Sequence, residues 1–129
     1  MYRIVKIKPA FIDERGTISD ILEEPVSHIG IIASKAGAVR GKHYHKKSAQ
    51  YIYIVSGKMQ SFTKELDGGA VVKSHILVPG DLEIVPQMII HAHKALEDTV
   101  FLTFSTETRD SGKYEEDTFR TEIDLEQPI

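Results

Sequence analysis

The stretch Gly37-Ala38-Val39-Arg40-Gly41-Lys42-His43-Tyr44-His45-Lys46-Lys47-Ser48-Ala49-Gln50 decides how the rest of the chain is read. Two glycines and an arginine lead into a His-x-His pair. Gln50 follows five residues later, at the head of an apolar run that ends at Gly57. Side chains two apart on a strand share a face, with about 6–7 Å between their bases, so His43 and His45 can converge on one ion or one substrate atom. A second pair, His91-Ala92-His93, lies downstream of Pro86. A near doublet joined by a remote histidine is how β-barrels assemble three-histidine sites from separate strands.

Outward from this stretch, turn residues punctuate the chain at Pro9, Gly16, Pro25, Gly57, Gly68-Gly69, Pro79-Gly80, Pro86 and Gly112. The runs between them are rich in Val, Ile, Tyr, Phe and Thr and predict strands over 17–22, 29–33, 51–55, 70–78, 82–85 and 99–106. Short strands with turn signals every 8–12 residues or so read as a sandwich or closed barrel. Val100-Phe101-Leu102-Thr103-Phe104 is apolar enough to be buried on both faces. No segment holds a helical apolar pattern for three turns, so any helix is short. Residues 107–116 read as a polar, acidic loop. Phe119, Thr121, Ile123 and Leu125 then alternate with Arg120, Glu122 and Asp124, the pattern of a final strand. The fold class is all-β.

At 129 residues the chain is a single domain, 1–129, able to bury one real core. Sixteen basic and 19 acidic residues give a net charge of −3, which argues against nucleic acid or an anionic membrane as partner. Apolar stretches are far too short to span a bilayer, and the N-terminus has no secretory apolar core. Cysteine is absent, which removes disulfides, thiolate metal sites and thiol nucleophiles and fits a reducing, cytoplasmic setting. Short chain ends are ordered when something covers them. An N-terminal strand exchanged with a neighbouring subunit would do so, and a homodimer is the commonest symmetric assembly.

Two spacings carry a family resemblance. Gly37-x5-His43-x-His45-x4-Gln50-x6-Gly57 resembles the first cupin motif (37–57), with Gln50 where glutamate is usual. Gly80-x5-Pro86-x4-His91 is similar to the second (80–95), with Met88 replacing its glycine and Ala95 its asparagine. The resemblance implies a double-stranded β-helix, the jelly-roll cupin barrel. It also implies that His43, His45, Gln50 and His91 lie inside, around a divalent transition metal such as zinc, nickel, iron or manganese. A neutral amide leaves that ligand set uncharged, so an ion is held less tightly and stays more Lewis acidic. The same residues could instead form a hydrogen-bonded polar core with no ion. His93 shares parity with His91 and belongs to the cavity or its rim. His28 and His75 read as surface or ordinary polar packing.

Asp13-Glu14-Arg15-Gly16 and Arg40-Gly41-Lys42-His43 narrow the resemblance to sugar-nucleotide cupins. The dTDP-4-dehydrorhamnose 3,5-epimerases carry similar Asp-x-Arg-Gly and Arg-Gly-x-His segments. The dTDP-sugar 3,4-ketoisomerases carry a stretch close to 40–50, and the metal-bearing cupin domain of capsular-polysaccharide UDP-sugar enzymes resembles 34–45. This implies an isomerase or epimerase of a nucleotide-activated keto-deoxysugar in cell-surface polysaccharide biosynthesis. Arg15 and Arg40 would take the diphosphate, and Gln50 would contact substrate. His43, His45 and His93 would supply acid and base. The alternatives are a metal-dependent cupin dioxygenase and a non-catalytic metal- or sugar-binding cupin.

Overall fold

The computed structural model describes residues 1–66, 71–108 and 113–126. Alternation of inward and outward side chains builds the strands. In order these are β1 (Arg3–Lys6), β2 (Phe11–Asp13), β3 (Gly16–Ile18), β4 (His28–Ser34), β5 (Val39–Tyr44), β6 (Gln50–Ser56) and β7 (Met59–Glu65). They continue with β8 (Lys73–Leu77), β9 (Asp81–Val85), β10 (Ile89–Ala95), β11 (Thr99–Ser105), a single helical turn α1 (Lys113–Glu116) and β12 (Phe119–Arg120). One sheet runs β1-β9-β6-β11-β4, the other β12-β5-β10-β7-β8, and β2–β3 form a separate hairpin. The pairings are antiparallel. The two five-stranded sheets pack face to face as a jelly roll, the all-β barrel expected.

On β6, Gln50, Ile52 and Ile54 are buried, whereas Tyr51 and Tyr53 are half-buried and Val55 is exposed. The inward residues of both sheets meet in one core of Ile52, Ile54, Phe101, Met59 and Leu77. Each such side chain contributes roughly 1.5–3 kcal/mol by leaving water. β7 is buried on both faces over Met59–Thr63 because a second apolar layer lies outside it. There Phe62, Ile90 and Ala92 are capped by Ile123. Ile123 belongs to the segment expected as a final strand. Only Phe119–Arg120 pair there, with Tyr44 and His43 of β5, and 121–126 are irregular. Burial still alternates along them, so the pattern reports contact with the sheet rather than ladder pairing.

Other expectations are corrected in detail. The strand expected over 17–22 stops at Ile18. The strand expected over 70–78 spans Lys73–Leu77, and Ala70 with Gly68-Gly69 lies outside the described residues. Of the loop 107–116, residues 109–112 including Gly112 lie outside them too, and 113–116 form α1. Burial of 100–104 on both faces holds in part: Phe101, Thr103 and Phe104 are buried, Val100 and Leu102 half-buried. The N-terminal strand β1 pairs with β9 of its own chain, held by a 2.7 Å ion pair between Lys6 and Asp81.

The β5–β10 pairing positions the site. His91 stands opposite His43, Ala92 opposite Gly41, and His93 opposite Arg40. Lys42 is left unopposed as a bulge, with φ of 62°. Gly41 has φ of 95°, and a Cβ there would lie 2.8 Å from the His91 carbonyl oxygen. Gly41→Ala therefore meets both a strained backbone and a backbone clash. It is expected to lower stability by about 1–3 kcal/mol, read as a shifted urea midpoint at unchanged slope.

Candidate functional site

His43, His45 and His91 come from β5, the residue just after it, and β10, and one ring nitrogen of each lies within 4.8 Å of the others. Ring centroids are 4.7 Å apart for His43–His45 and for His43–His91, and 5.5 Å for His45–His91. The Nδ1–H of His45 donates to the Asp117 carbonyl at 2.9 Å, and that of His91 to the Ile89 carbonyl at 3.0 Å. A carbonyl only accepts, so each ring must carry a proton on Nδ1, and its Nε2 is turned away from that bond. The Nε2 of His91 is buried with no hydrogen-bond partner. Burial, then the charges of His43 and His93, pushes the His91 pKa down to about 3, so its ring is neutral at pH 7. Imidazoles oriented through their far nitrogen, as His45 and His91 are, are what a divalent metal takes as ligands, and the three-nitrogen donor set fits one.

His43 and His91 border a cavity of about 220 Å³ that Gln50, His93, Arg40 and Phe101 also line. The structure thus brings together His43, Gln50, His91, His93 and Arg40 around one space, with the His45 ring against those of His43 and His91. Arg40 and His43, three apart, both reach this cavity because the bulge at Lys42 reverses the alternation. Arg40 is held by Ser34 Oγ at 2.7 Å and the Ala33 carbonyl at 3.2 Å. Among the described residues no carboxylate pairs with it. Arg15 does not line the cavity. It sits on the exposed β2–β3 hairpin and is ion-paired with Asp13 at 2.6 Å. Met88, at the second motif's glycine position, takes φ of 69° and donates its N–H to the His45 carbonyl.

Two residues escaped the sequence reading. Glu83 is fully buried, and it accepts from His93 Nε2 at 2.6 Å, Tyr2 Oη at 2.5 Å and Ser61 Oγ. Burial alone would raise its pKa. The His93 charge and the bonds from His93, Ser61 and Tyr2 outweigh burial and hold it well below the ordinary carboxylate range. A lone acid inside the apolar run Leu82–Val85 was the available signal. The Asp117 carboxylate accepts the backbone N–H groups of Lys46, Lys47 and Ser48 at 2.9 to 3.1 Å, shaping the loop between His45 and Gln50. No local pattern marks it.

Two antiparallel sheets closed around a histidine-lined cavity form a jelly-roll barrel of the cupin fold. Solved structures agree on the fold. The dTDP-4-dehydrorhamnose 3,5-epimerase of Elizabethkingia anophelis matches with a TM-score of 0.79 at 19% identity, over 98% of this chain and 82% of that one. QdtA, a sugar 3,4-ketoisomerase from Thermoanaerobacterium thermosaccharolyticum solved in complex with TDP, matches with 0.76 at 20%, over 93% and 88%. The capsular polysaccharide assembling protein CapF of Staphylococcus aureus matches with 0.66 at 20%, over 91% of this chain but 34% of its own. No curated protein matches the sequence. The model of the polysaccharide biosynthesis C-terminal domain family matches residues 11–118, and the chain belongs to that family.

The buried Glu83 makes stability depend on pH. In the unfolded chain it titrates near 4.5, whereas in the fold it stays ionised until about pH 2. Between those values the unfolded state binds the extra proton, so this stabilisation is complete above pH 4.5 and is lost as pH falls towards 2. Urea midpoints measured from pH 7 downwards should fall over that interval, and fall less in Glu83→Gln.

Proposed function

We propose that this chain isomerises or epimerises a nucleotide-activated keto-deoxysugar for cell-surface polysaccharide, with a divalent metal held by His43, His45 and His91 and completed by Gln50. The carrying observation is the convergence of three imidazoles beside a cavity that Arg40, with no carboxylate partner among the described residues, also lines. Membership of a polysaccharide biosynthesis family supports the pathway class. The folds of a dTDP-sugar epimerase and a ketoisomerase support the reaction class.

The reaction is proton abstraction next to a ketone and reprotonation at the other face or the neighbouring carbon. It needs groups that move a proton near pH 7, which imidazoles supply, and something to stabilise the enolate. A divalent metal, when bound, supplies Lewis acidity toward a ketone oxygen. His93 lies outside the three-nitrogen cluster and borders the same cavity, so it can move a proton when the other three hold an ion. Without an ion, His43 and His45 take that role. Arg40, already braced by Ser34 and Ala33, offers its remaining N–H groups to a diphosphate. Gln50 is the neutral amide that orients substrate or completes the ligand set.

With dTDP-, UDP- and GDP-linked 4-keto-6-deoxysugars in D2O, mass spectrometry should detect deuterium at a ring carbon. His91→Ala should lose both turnover and the single equivalent of metal found by elemental analysis. Arg40→Ala should raise KM about tenfold or more with a smaller change in kcat. No deuterium with any sugar would sink the reading, and oxygen uptake instead would favour the dioxygenase.

We also propose a homodimer. Ile29 and Ile31 on the edge strand β4 are 63% and 71% exposed, and Phe11, Ile12 and Ile18 of the hairpin stand in water as well. Covering them favours self-association. Light scattering should give twice the chain mass, and Ile31→Glu should shift it to the monomer.

A further inference from the structure

Resting on that reading, we propose that Glu83 is a positioning residue of the cavity: it grips His93 through Nε2 so that His93 presents Nδ1 to the substrate, and Tyr2 ties this grip to the N-terminal strand. Three elements converge on the carboxylate. Tyr2 enters from the residue before β1, Ser61 from β7 and His93 from β10. Burying a carboxylate costs several kcal/mol that an apolar side chain would not, even when the charge is paired. Leu82, Ile84 and Val85 beside it are the ordinary solution for this strand. What the acid adds is direction. An ionised carboxylate accepts only, so His93 must bring a proton to Nε2, and its other nitrogen is the one left for the cavity the ring lines.

The N-terminal link has its own geometry. Burial and the Glu83 charge push the Tyr2 phenol pKa up, so the hydroxyl stays a donor. Tyr2 also lines a second cavity of about 300 Å³ with Thr63, Lys73 and Ile89, and its ring lies 5.7 Å from that of His75. The chain Tyr2–Glu83–His93 therefore links the lining of one cavity to that of the other. Docking of β1 on β9 brings Tyr2 to the carboxylate, so the N-terminal strand is part of what sets the His93 ring.

Ring nitrogen-15 NMR of the full chain, without added ligand, tests the grip. Wild type should show His93 protonated at Nε2 with a far-downfield proton. In Glu83→Leu the two tautomers should mix, and in Glu83→Gln, whose amide is a weaker acceptor, that proton should move upfield. If the leucine variant does not fold, the glutamine variant decides. Tyr2→Phe should shift the same proton in the same direction by less. In the deuterium assay, Glu83→Gln should lower kcat by about tenfold or more, with KM within about threefold. A purely structural role would lower stability and leave that split absent. An unchanged His93 signal in the Glu83 variants overturns the proposal. If the wild type turns over no keto sugar, the functional reading fails while the NMR arm still decides what Glu83 does.

Discussion

The contact between Gly41 and the His91 carbonyl is the constraint on which the rest of the site depends. Strand β5 with the residue just after it, and strand β10, carry the two histidine pairs, and the paired strands approach so closely that only a glycine fits opposite Ala92. The bulge at Lys42 takes up one residue at that point. Its effect is to place Arg40 and His43 on the same side of the sheet, facing one space with His91 and His93. A regular ladder would have sent one of the two outwards. The site is therefore a product of an irregularity, and a local positive φ is what makes it possible.

The barrel interior is divided by chemistry. Ile52, Ile54, Met59, Leu77 and Phe101 form an apolar core, and Ile52 and Phe101 also border the histidine-lined cavity. The remainder holds imidazoles, an amide and a buried carboxylate, each costly to desolvate. Hydrogen bonds to Asp117, Ile89, Ser61 and Tyr2 offset that cost while leaving particular nitrogens unspent. The C-terminal segment adds support from outside: Phe119 stacks on Tyr44 at 5.2 Å, and Ile123 closes the outer layer over Phe62 and Ala92.

Much of this was legible residue by residue. Spacing puts His43 and His45 on one face, and the resemblance to the cupin motifs implies that Gln50 and His91 join them; the structure brings the three histidines together, with Gln50 lining the cavity beside them. Arg40 was named as a ligand-facing residue, and it lines the cavity. Met88 shows why a motif can survive a substitution: the backbone keeps the left-handed φ that glycine would adopt freely. Strands β5, β7 and β10 were harder to read. Their residues are polar inside or buried on both faces, so the alternation of apolar and polar that marks β6 is missing from them.

The sequence by itself determined the all-β class and the two His-x-His pairs, since each rests on local periodicity or on short spacings, and the cupin-like spacing of its motifs implied that the pairs meet. Tertiary structure alone decided that Glu83 grips His93, that Asp117 orients His45 and shapes its loop, and that Arg15 stands on a hairpin away from the cavity lining. Those outcomes depend on which strands become neighbours and in what register. Pairing across the sheet is set by the sum of many weak contacts between distant segments, and no stretch of chain holds that sum within itself.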